Sequence, residues 1–202
     1  MNGWQDFGSV TLLIDIQSAQ FNRAAGNRVA HNETIHYSGR FLGLKERDRW
    51  EYAFRTNASG VVVLVPVTDA GELVLVQQYR IPVKSQVMEL PAGLVGDTGD
   101  KEEDFKTAAQ RELIEETGYR AARLEELLRS PSTPGMADEM ITIYFASGLE
   151  RVGKGGGDGN EDITVHHVPL NIAPQWLEEK MAEGIMLDPK IYAGLFWAGT
   201  RS

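Results

Sequence analysis

Three glutamates lie close together in the segment 111–118, Arg-Glu-Leu-Ile-Glu-Glu-Thr-Gly. Glu112 and Glu116 are four residues apart, so in a helix they stand on one face, with Glu115 beside them. Like charges at this spacing destabilise an isolated helix by about 0.2–0.5 kcal/mol per pair. A bound cation would offset the repulsion, and an all-oxygen ligand set suits Mg²⁺ or Mn²⁺. The segment predicts a metal-binding helix, although the triplet alone leaves a solvated acidic face open.

The composition limits the classes of protein to which the chain can belong. It has 202 residues, of which 42% are apolar and 24% charged, as expected for one globular domain with a small extension. The net charge of −9 argues against nucleic acid as a partner, because binding to phosphate backbones needs clustered Lys and Arg. The absence of cysteine excludes disulfides, zinc thiolates and a Cys nucleophile. We see no signal peptide and no apolar run of about 18 residues, so we expect a cytoplasmic protein without a membrane partner.

The order of predicted elements is strands, a helix, strands and then helices, which indicates an α+β fold with mixed sheets. The β-branched run Gly60 to Val67 predicts a strand buried on both faces. The spacing of Asp100 and Glu103 resembles a capping box, and Gly118 is a suitable helix stop. Helices are predicted at Glu102–Thr117, Ala173–Gly184 and Pro189–Trp197. Strands are predicted at Val10–Ile16, His36–Leu42, Trp50–Arg55, Gly60–Val67, Glu72–Gln78, Val87–Leu90, Met140–Phe145 and Ile163–Val168.

The glutamate segment and its surroundings resemble the Nudix box. The family pattern is Gly, five spacers, Glu, seven spacers and then Arg-Glu-aliphatic-x-Glu-Glu-x-Gly-aliphatic, and Glu103 with the run from Arg111 fits it. Two positions depart from it. Asp97 stands where Gly is expected, so that the loop looks four residues longer when counted from Gly93, and Tyr119 replaces an aliphatic residue.

Further segments resemble the ADP-ribose pyrophosphatase branch of that family. The resemblance implies an α/β/α sandwich with a mixed central sheet and an N-terminal antiparallel β extension. Residues 1–56 would then serve dimerisation and substrate binding, and residues 57–202 would form the hydrolase domain of a homodimer. The resembling segments are Trp50-Glu51, Gln78-Tyr79-Arg80, Glu89-Leu90-Pro91-Ala92-Gly93, Pro134-Gly135, Glu161-Asp162-Ile163 and Asp188-Pro189-Lys190-Ile191-Tyr192.

The resemblance implies metal-dependent hydrolysis of the pyrophosphate bond of ADP-ribose or a related nucleoside diphosphate sugar. The products would be a nucleoside monophosphate and a sugar phosphate, and the ion Mg²⁺, with Mn²⁺ as an alternative. The implied ligands are Glu112, Glu116, Glu115 and the Ala92 carbonyl, and the implied supporting groups are Arg111 and Glu103. Two other functions stay open: hydrolysis of GDP-mannose or another nucleoside diphosphate hexose, and a Nudix-fold binding module without catalysis.

The same resemblance implies a general base on a loop after the box and a set of substrate contacts. Glu161 is the candidate base, with Asp162 and Glu139 as alternatives. Trp50 would stack on a base, and in a homodimer on that of the neighbouring subunit, unless it is a core or interface aromatic. Arg80 would anchor a phosphate, unless it forms a structural ion pair with Glu89. The predicted substrate residues are Trp50, Arg80, Glu89, Gly135 and Met136.

Overall fold

The computed structural model describes residues 32–97, 99, 102–157 and 162–201. Residues Glu33–Ser202 form one compact unit. None of the helices in these described ranges is long and apolar enough to cross a membrane. The strands are β1 Glu33–Ser38, β2 Leu42–Arg47, β3 Trp50–Arg55, β4 Gly60–Pro66, β5 Glu72–Arg80, β6 Ser85–Glu89, β7 Ala92–Val95, β8 Tyr119–Pro131, β9 Met140–Arg151, β10 Thr164–Pro169 and β11 Met186–Leu187. The helices are α1 Phe105–Thr117, α2 Ala173–Ala182 and α3 Lys190–Gly199.

The described strands form three sheets. The first is antiparallel, with order β1-β2-β3, and is the predicted N-terminal β extension. The second has order β10-β5-β6-β11, in which β6 and β11 are parallel. The third has order β7-β4-β9-β8, in which β4 runs parallel to β9 and the other pairs are antiparallel. The predicted α+β class with mixed sheets is therefore confirmed.

Strand β4 is buried on both faces, as its continuous apolar run predicts. On one face Val62 and Leu64 pack with Leu113 of α1. On the other, Val63 and Val65 share a core with strands of the second sheet and with α2 and α3. The second and third sheets therefore lie between α1 and the two C-terminal helices, which gives the α/β/α sandwich.

One predicted strand was wrong, and one strand was not predicted. The predicted strand His36–Leu42 is divided between β1 and β2 by a turn in which the Gly39 N–H donates to the Leu42 carbonyl over 2.8 Å. Strand β8 was missed, because its Arg, Leu and Glu residues favour helix in isolation and a bulge between Glu126 and Leu128 breaks its alternation. Pairing with β9 along its length overrides that local preference. The predicted strand at residues 10–16 lies outside the described residues.

Helix α1 begins later than predicted. Its N-cap is Asp104, whose carboxylate accepts hydrogen bonds from the Lys106 and Thr107 N–H groups at 2.9 and 3.2 Å. The predicted capping-box start at Asp100 and Glu103 was therefore wrong for Glu103, and Asp100 is outside the described residues. The helix ends as predicted at Gly118, whose φ of 76° is left-handed.

Candidate active site

An apolar stripe on α1 aims its glutamates at strand β7. Ala108, Ala109 and Leu113 are fully buried against the third sheet. Because residues three and four apart share a helix face, burying this stripe turns Glu112 and Glu116 inwards beside it. Both carboxylate residues are buried. The predicted pairing of these two glutamates on one face is therefore present.

Strand β7 touches both glutamates through its backbone. The Ala92 N–H donates to Glu116 Oε2 over 3.0 Å. At Gly93 a Cβ atom would lie 1.8 Å from the Glu112 carboxyl carbon. Only glycine therefore allows the strand to pass so close to this carboxylate. Gly93 belongs to the site for this reason, which its place after Pro91-Ala92 did not reveal.

Arg111 fills the space between the carboxylates. Its Nη1 donates to Glu112 Oε1 at 2.7 Å and to Glu115 Oε2 at 3.1 Å. Its Nε donates to Glu103 Oε1 at 3.0 Å, and its Nη2 donates to the Leu94 carbonyl at 2.9 Å. One planar guanidinium thus joins Glu103 before α1, two glutamates of α1 and the end of β7.

These contacts set the protonation of the cluster. Burial raises the pKa of Glu112 to about 7, although Arg111 acts in the opposite direction. The hydrogen bond from Arg111 holds the pKa of Glu103 below its ordinary value. Burial lowers the pKa of Arg111, but Glu103 and Glu112 outweigh it and leave the pKa raised. Glu112 is thus a carboxylate whose charge is poorly compensated, and a nearby cation would stabilise its ionised form.

The acidic donor set of α1 fits a hard divalent cation by its chemistry, with carboxylate oxygens, a neighbouring backbone and a buried Glu112. The tightest three-ligand group among the described residues lies elsewhere: His36, Glu46 and Glu51 have ligand atoms within 4.8 Å of one another. His36 and Glu51 are exposed, and His36 already bonds Glu46 at 2.9 Å. This group lies on the β1-β2-β3 sheet and includes none of the carboxylates of α1.

A cavity of about 460 Å³ is lined by Glu112 and Glu115 of α1. Arg80 and Glu89 both line this cavity. They also form the ion pair that was the alternative interpretation of Arg80, with Arg80 Nε 2.7 Å from Glu89 Oε2. The side chain of Arg80 is 41% exposed. Glu139 also lines the cavity and pairs with Arg55, a residue that sequence reasoning missed.

A NUDIX domain profile matches residues 57–186, which is more than half of the chain. The chain belongs to the NUDIX family. A crystal structure of an ADP compounds hydrolase superposes with a TM-score of 0.65 at 23% identity, over 85% of this chain and 94% of the other. That likeness supports the Nudix fold assigned from the sheets.

Several named proteins are similar to this chain over part of its length. A methanol dehydrogenase activator of Bacillus methanolicus is 37% identical over 122 residues, and an ADP-ribose pyrophosphatase of Bacillus subtilis is 34% identical over 122 residues. Each alignment covers 60% of this chain and 64% of the relative. A GDP-mannose pyrophosphatase of Cronobacter sakazakii is 29% identical over 140 residues, covering 65% of this chain and 69% of the relative. The chain thus spans less than two thirds of the first two relatives it matches.

The loop before the Nudix helix differs from the predicted one. Gly93 is part of strand β7, and the left-handed turn comes at Gly96, with a φ of 81°. The Gly96 N–H donates to Glu103 Oε2 at 3.0 Å, and Asp97 lies 3.4 Å from Arg111. Gly96 stands one position before 97, where the pattern expects Gly. Counted from the turn, the loop is one residue longer than the pattern, instead of four.

Other predicted residues lie outside the carboxylate cavity. Trp50 is 62% exposed and lines a separate cavity of about 460 Å³ with Tyr52 and Pro134. Met136 is exposed on the turn after Gly135, and its carbonyl accepts from the Ala53 N–H at 2.8 Å. Glu161 lies outside the described residues. Asp162 lines a third cavity, beside Arg151 and residues 154–157.

Proposed function

We propose that the chain is a divalent-metal-dependent pyrophosphatase that hydrolyses ADP-ribose or a related nucleoside diphosphate sugar. The products would be a nucleoside monophosphate and a sugar phosphate. The observation that carries the proposal is the buried carboxylate of Glu112, which lines the same cavity as Glu115 and Arg80. A buried acidic cluster beside a cation suits a substrate that is held through a metal and carries phosphate.

Glu112, Glu115, Glu116 and the Ala92 carbonyl are the residues that would hold Mg²⁺ or Mn²⁺. When bound, such an ion neutralises phosphate oxygens and lowers the pKa of a coordinated water. Arg111 and Glu103 would hold α1 and strand β7 in register when the glutamates bind the ion. The Ala92 N–H donates to one oxygen of Glu116 and so orients this carboxylate.

Arg80 is the proposed phosphate anchor. Its partner Glu89 orients the guanidinium, and the exposed part of Arg80 can bind a phosphate oxygen as well. Glu89 is therefore a substrate-site residue that acts through Arg80.

Glu161 is the proposed general base, with Asp162 and Glu139 as alternatives. Among these, Glu139 is the one that lines the described cavity, where Arg55 binds its carboxylate. The substitution Glu139→Gln distinguishes the two roles. If Glu139 is the base, kcat should fall at every pH, and if it only positions other groups, KM should change more than kcat.

A homodimer built on the β1-β2-β3 sheet is the proposed assembly. All six residues of β1 are exposed, including Ile35 and Tyr37, and this is unusual for a strand with apolar side chains. A second copy would cover them, and the exposed Trp50, with Gly135 and Met136 nearby, would bind the nucleoside or sugar. Residues 1–56 remain the proposed dimerisation and substrate region, and the cytoplasmic location remains a prediction from the sequence.

The test is hydrolysis of a panel of nucleoside diphosphate sugars with Mg²⁺ and with Mn²⁺. ADP-ribose is expected to be the best substrate, and GDP-mannose and other hexose conjugates are included because one relative carries that name. Glu115→Gln and Glu116→Gln should each lower kcat by at least about 100-fold, since the ion supplies several kcal/mol. Glu178→Gln, at an exposed position of α2 outside the cavity, is the control and should change little. Turnover that survives both helix substitutions would refute the metal mechanism.

A further inference from the structure

The C-terminal end of α1 is held by the glycine segment, residues 153–157. The Gly157 N–H donates to the Glu115 carbonyl at 3.0 Å, and the Gly156 N–H donates to the Glu116 carbonyl at 2.8 Å. The Gly153 N–H reaches the Gly118 carbonyl at 3.0 Å. The backbones of two predicted metal ligands are therefore bonded directly to a distant segment of the chain.

The electrostatics of the helix end explain why such donors are needed. The last carbonyls of a helix have no partners within it and carry partial negative charge, so cationic side chains usually lie there. The last turn of α1 has no basic residue and instead carries Glu115 and Glu116. Backbone N–H groups of the glycine segment donate to these carbonyls and supply the partial positive charge that no basic side chain supplies in this turn.

Glycine is required where the segment and helix meet. Gly155 has a φ of 72°, and a Cβ there would lie 2.5 Å from the Thr117 carbonyl carbon. At Gly118 a Cβ would lie 2.4 Å from the Gly153 carbonyl oxygen. A Cβ on Gly153 itself would meet only the Gly118 Cα, at 3.8 Å, which is an ordinary contact. The approach is thus close at Gly155 and relaxed at Gly153.

We propose that the glycine segment is a positioning element of the metal site. Glu116 is held at its carbonyl by Gly156 and at its carboxylate by Ala92, so the segment and strand β7 together fix where that ligand stands. Glu115 is held at its carbonyl by Gly157. This inference rests on the proposed metal-dependent function, and it assigns a role to a glycine-rich run that sequence patterns treat as a surface loop.

The test compares Gly155→Ala with its matched control Gly153→Ala. Binding of Mn²⁺, followed by electron paramagnetic resonance without substrate, should weaken about 10- to 100-fold in Gly155→Ala, as for changes that misplace metal ligands. Gly153→Ala should bind within about twofold of the wild type. In Gly155→Ala, the Mg²⁺ concentration for half-maximal turnover should rise by the same factor as the dissociation constant for Mn²⁺. The kcat should recover at excess metal. A Gly155→Ala protein that binds Mn²⁺ like the wild type would overturn the proposal.

Amide hydrogen exchange on the wild type provides a measurement that needs no substitution. The Gly156 and Gly157 amides should be protected, and Mg²⁺ should slow their exchange further, because ligand binding at the carboxylates stabilises the same turn. If the Gly156 and Gly157 amides exchange at the rate of an open loop, with or without Mg²⁺, the proposed positioning role is refuted even if Gly155→Ala does not fold. A wild type that binds Mn²⁺ but hydrolyses no nucleoside diphosphate sugar would refute the proposed function and leave this inference standing. A wild type that binds no Mn²⁺ would refute both.

Discussion

Helix α1 and the β1-β2-β3 sheet depart from ordinary burial in opposite directions. On α1, charged Glu112 and Glu116 are buried, whereas on the sheet Ile35 and Tyr37 are exposed. Charged groups are seldom buried without partners, and large apolar side chains clustered on a surface usually meet another molecule. We propose that a metal ion completes the first region and that a second copy of the chain completes the second.

The two regions differ in how they are held. The carboxylates of α1 are fixed by Arg111 and by the backbones of β7 and the glycine segment, so the site is ordered by the chain alone. In the sheet, Glu33 bonds Arg47 and Tyr52 on an exposed edge, and the apolar side chains of β1 have no cover from the described chain. The carboxylate site is thus held within the chain, and the exposed face of β1 is where we propose that a second copy packs.

The largest expected effect is from Arg111→Ala. It would leave the buried carboxylates of Glu103 and Glu112 without their cation, which typically costs about 3–5 kcal/mol. The free energy of unfolding in urea should fall by that amount, and turnover should be lost. The control is Arg120→Ala, on an exposed position of β8, which should change stability by no more than about 0.5 kcal/mol. An equal effect of both substitutions would mean that the Arg111 network is not special.

Gly93→Ala should act next most strongly. Its methyl group would overlap the Glu112 carboxyl carbon, so either the strand or the carboxylate must shift. We expect about 1–3 kcal/mol of destabilisation and about 100-fold lower kcat/KM, since overpacking strains a tight contact and misplaces a ligand. Gly199→Ala, which meets no atom within 4 Å, is the control. Wild-type kcat/KM in Gly93→Ala would show that the close approach is dispensable.

Ile35→Lys tests the other region. A lysine on the exposed face of β1 should dissociate the proposed dimer, seen as a halved mass in light scattering, while unfolding of the subunit changes by about 0.5 kcal/mol or less. Leu128→Lys, at an exposed apolar position of another sheet, should leave the mass unchanged. A wild type that is already monomeric at micromolar concentration would rule out the dimer.

Acid titration should give the smallest difference between the regions. The folded-state pKa of Glu103 lies below its ordinary value of 4.5, so its pairing contributes stability above that pH and loses it as the pH falls through the folded value. The wild type should therefore lose more unfolding free energy than Glu103→Gln between about pH 6 and about pH 3. Arg47 also lowers the pKa of Glu33, but that pair is solvated and salt should screen it. Glu33→Gln should thus matter little at high salt.

The site was predictable to the extent that it is local in sequence. The four-residue spacing of Glu112 and Glu116 places them on one face in any helix, and Glu103 and Arg111 bond as the box pattern implies. Arg55 was not predictable, because its pairing with Glu139 depends on how β3 meets the turn before β9. The role of Gly93 needed the distance to a side chain that is distant in sequence.

The fold shows the same division. Strand β4 was predictable because burial on both faces selects a continuous apolar run. Strand β8 was not, because its conformation is imposed by β9 and its own residues favour a helix. Asp104 caps α1 although the spacing predicted a capping box of Asp100 and Glu103, and Glu103 instead binds Arg111 and the Gly96 N–H.

The parallel pairing of β4 with β9 also determines how the chain must fold. Val61 lies opposite Ile141, so the pair joins positions 80 residues apart (141 − 61), and the Nudix helix lies between them in sequence. Such non-local parallel pairing is slow to form, because the entropy of closing a long loop is lost before the contacts are gained. During synthesis the apolar strand β4 emerges well before β9, so its unpaired edge is open to aggregation until β9 arrives.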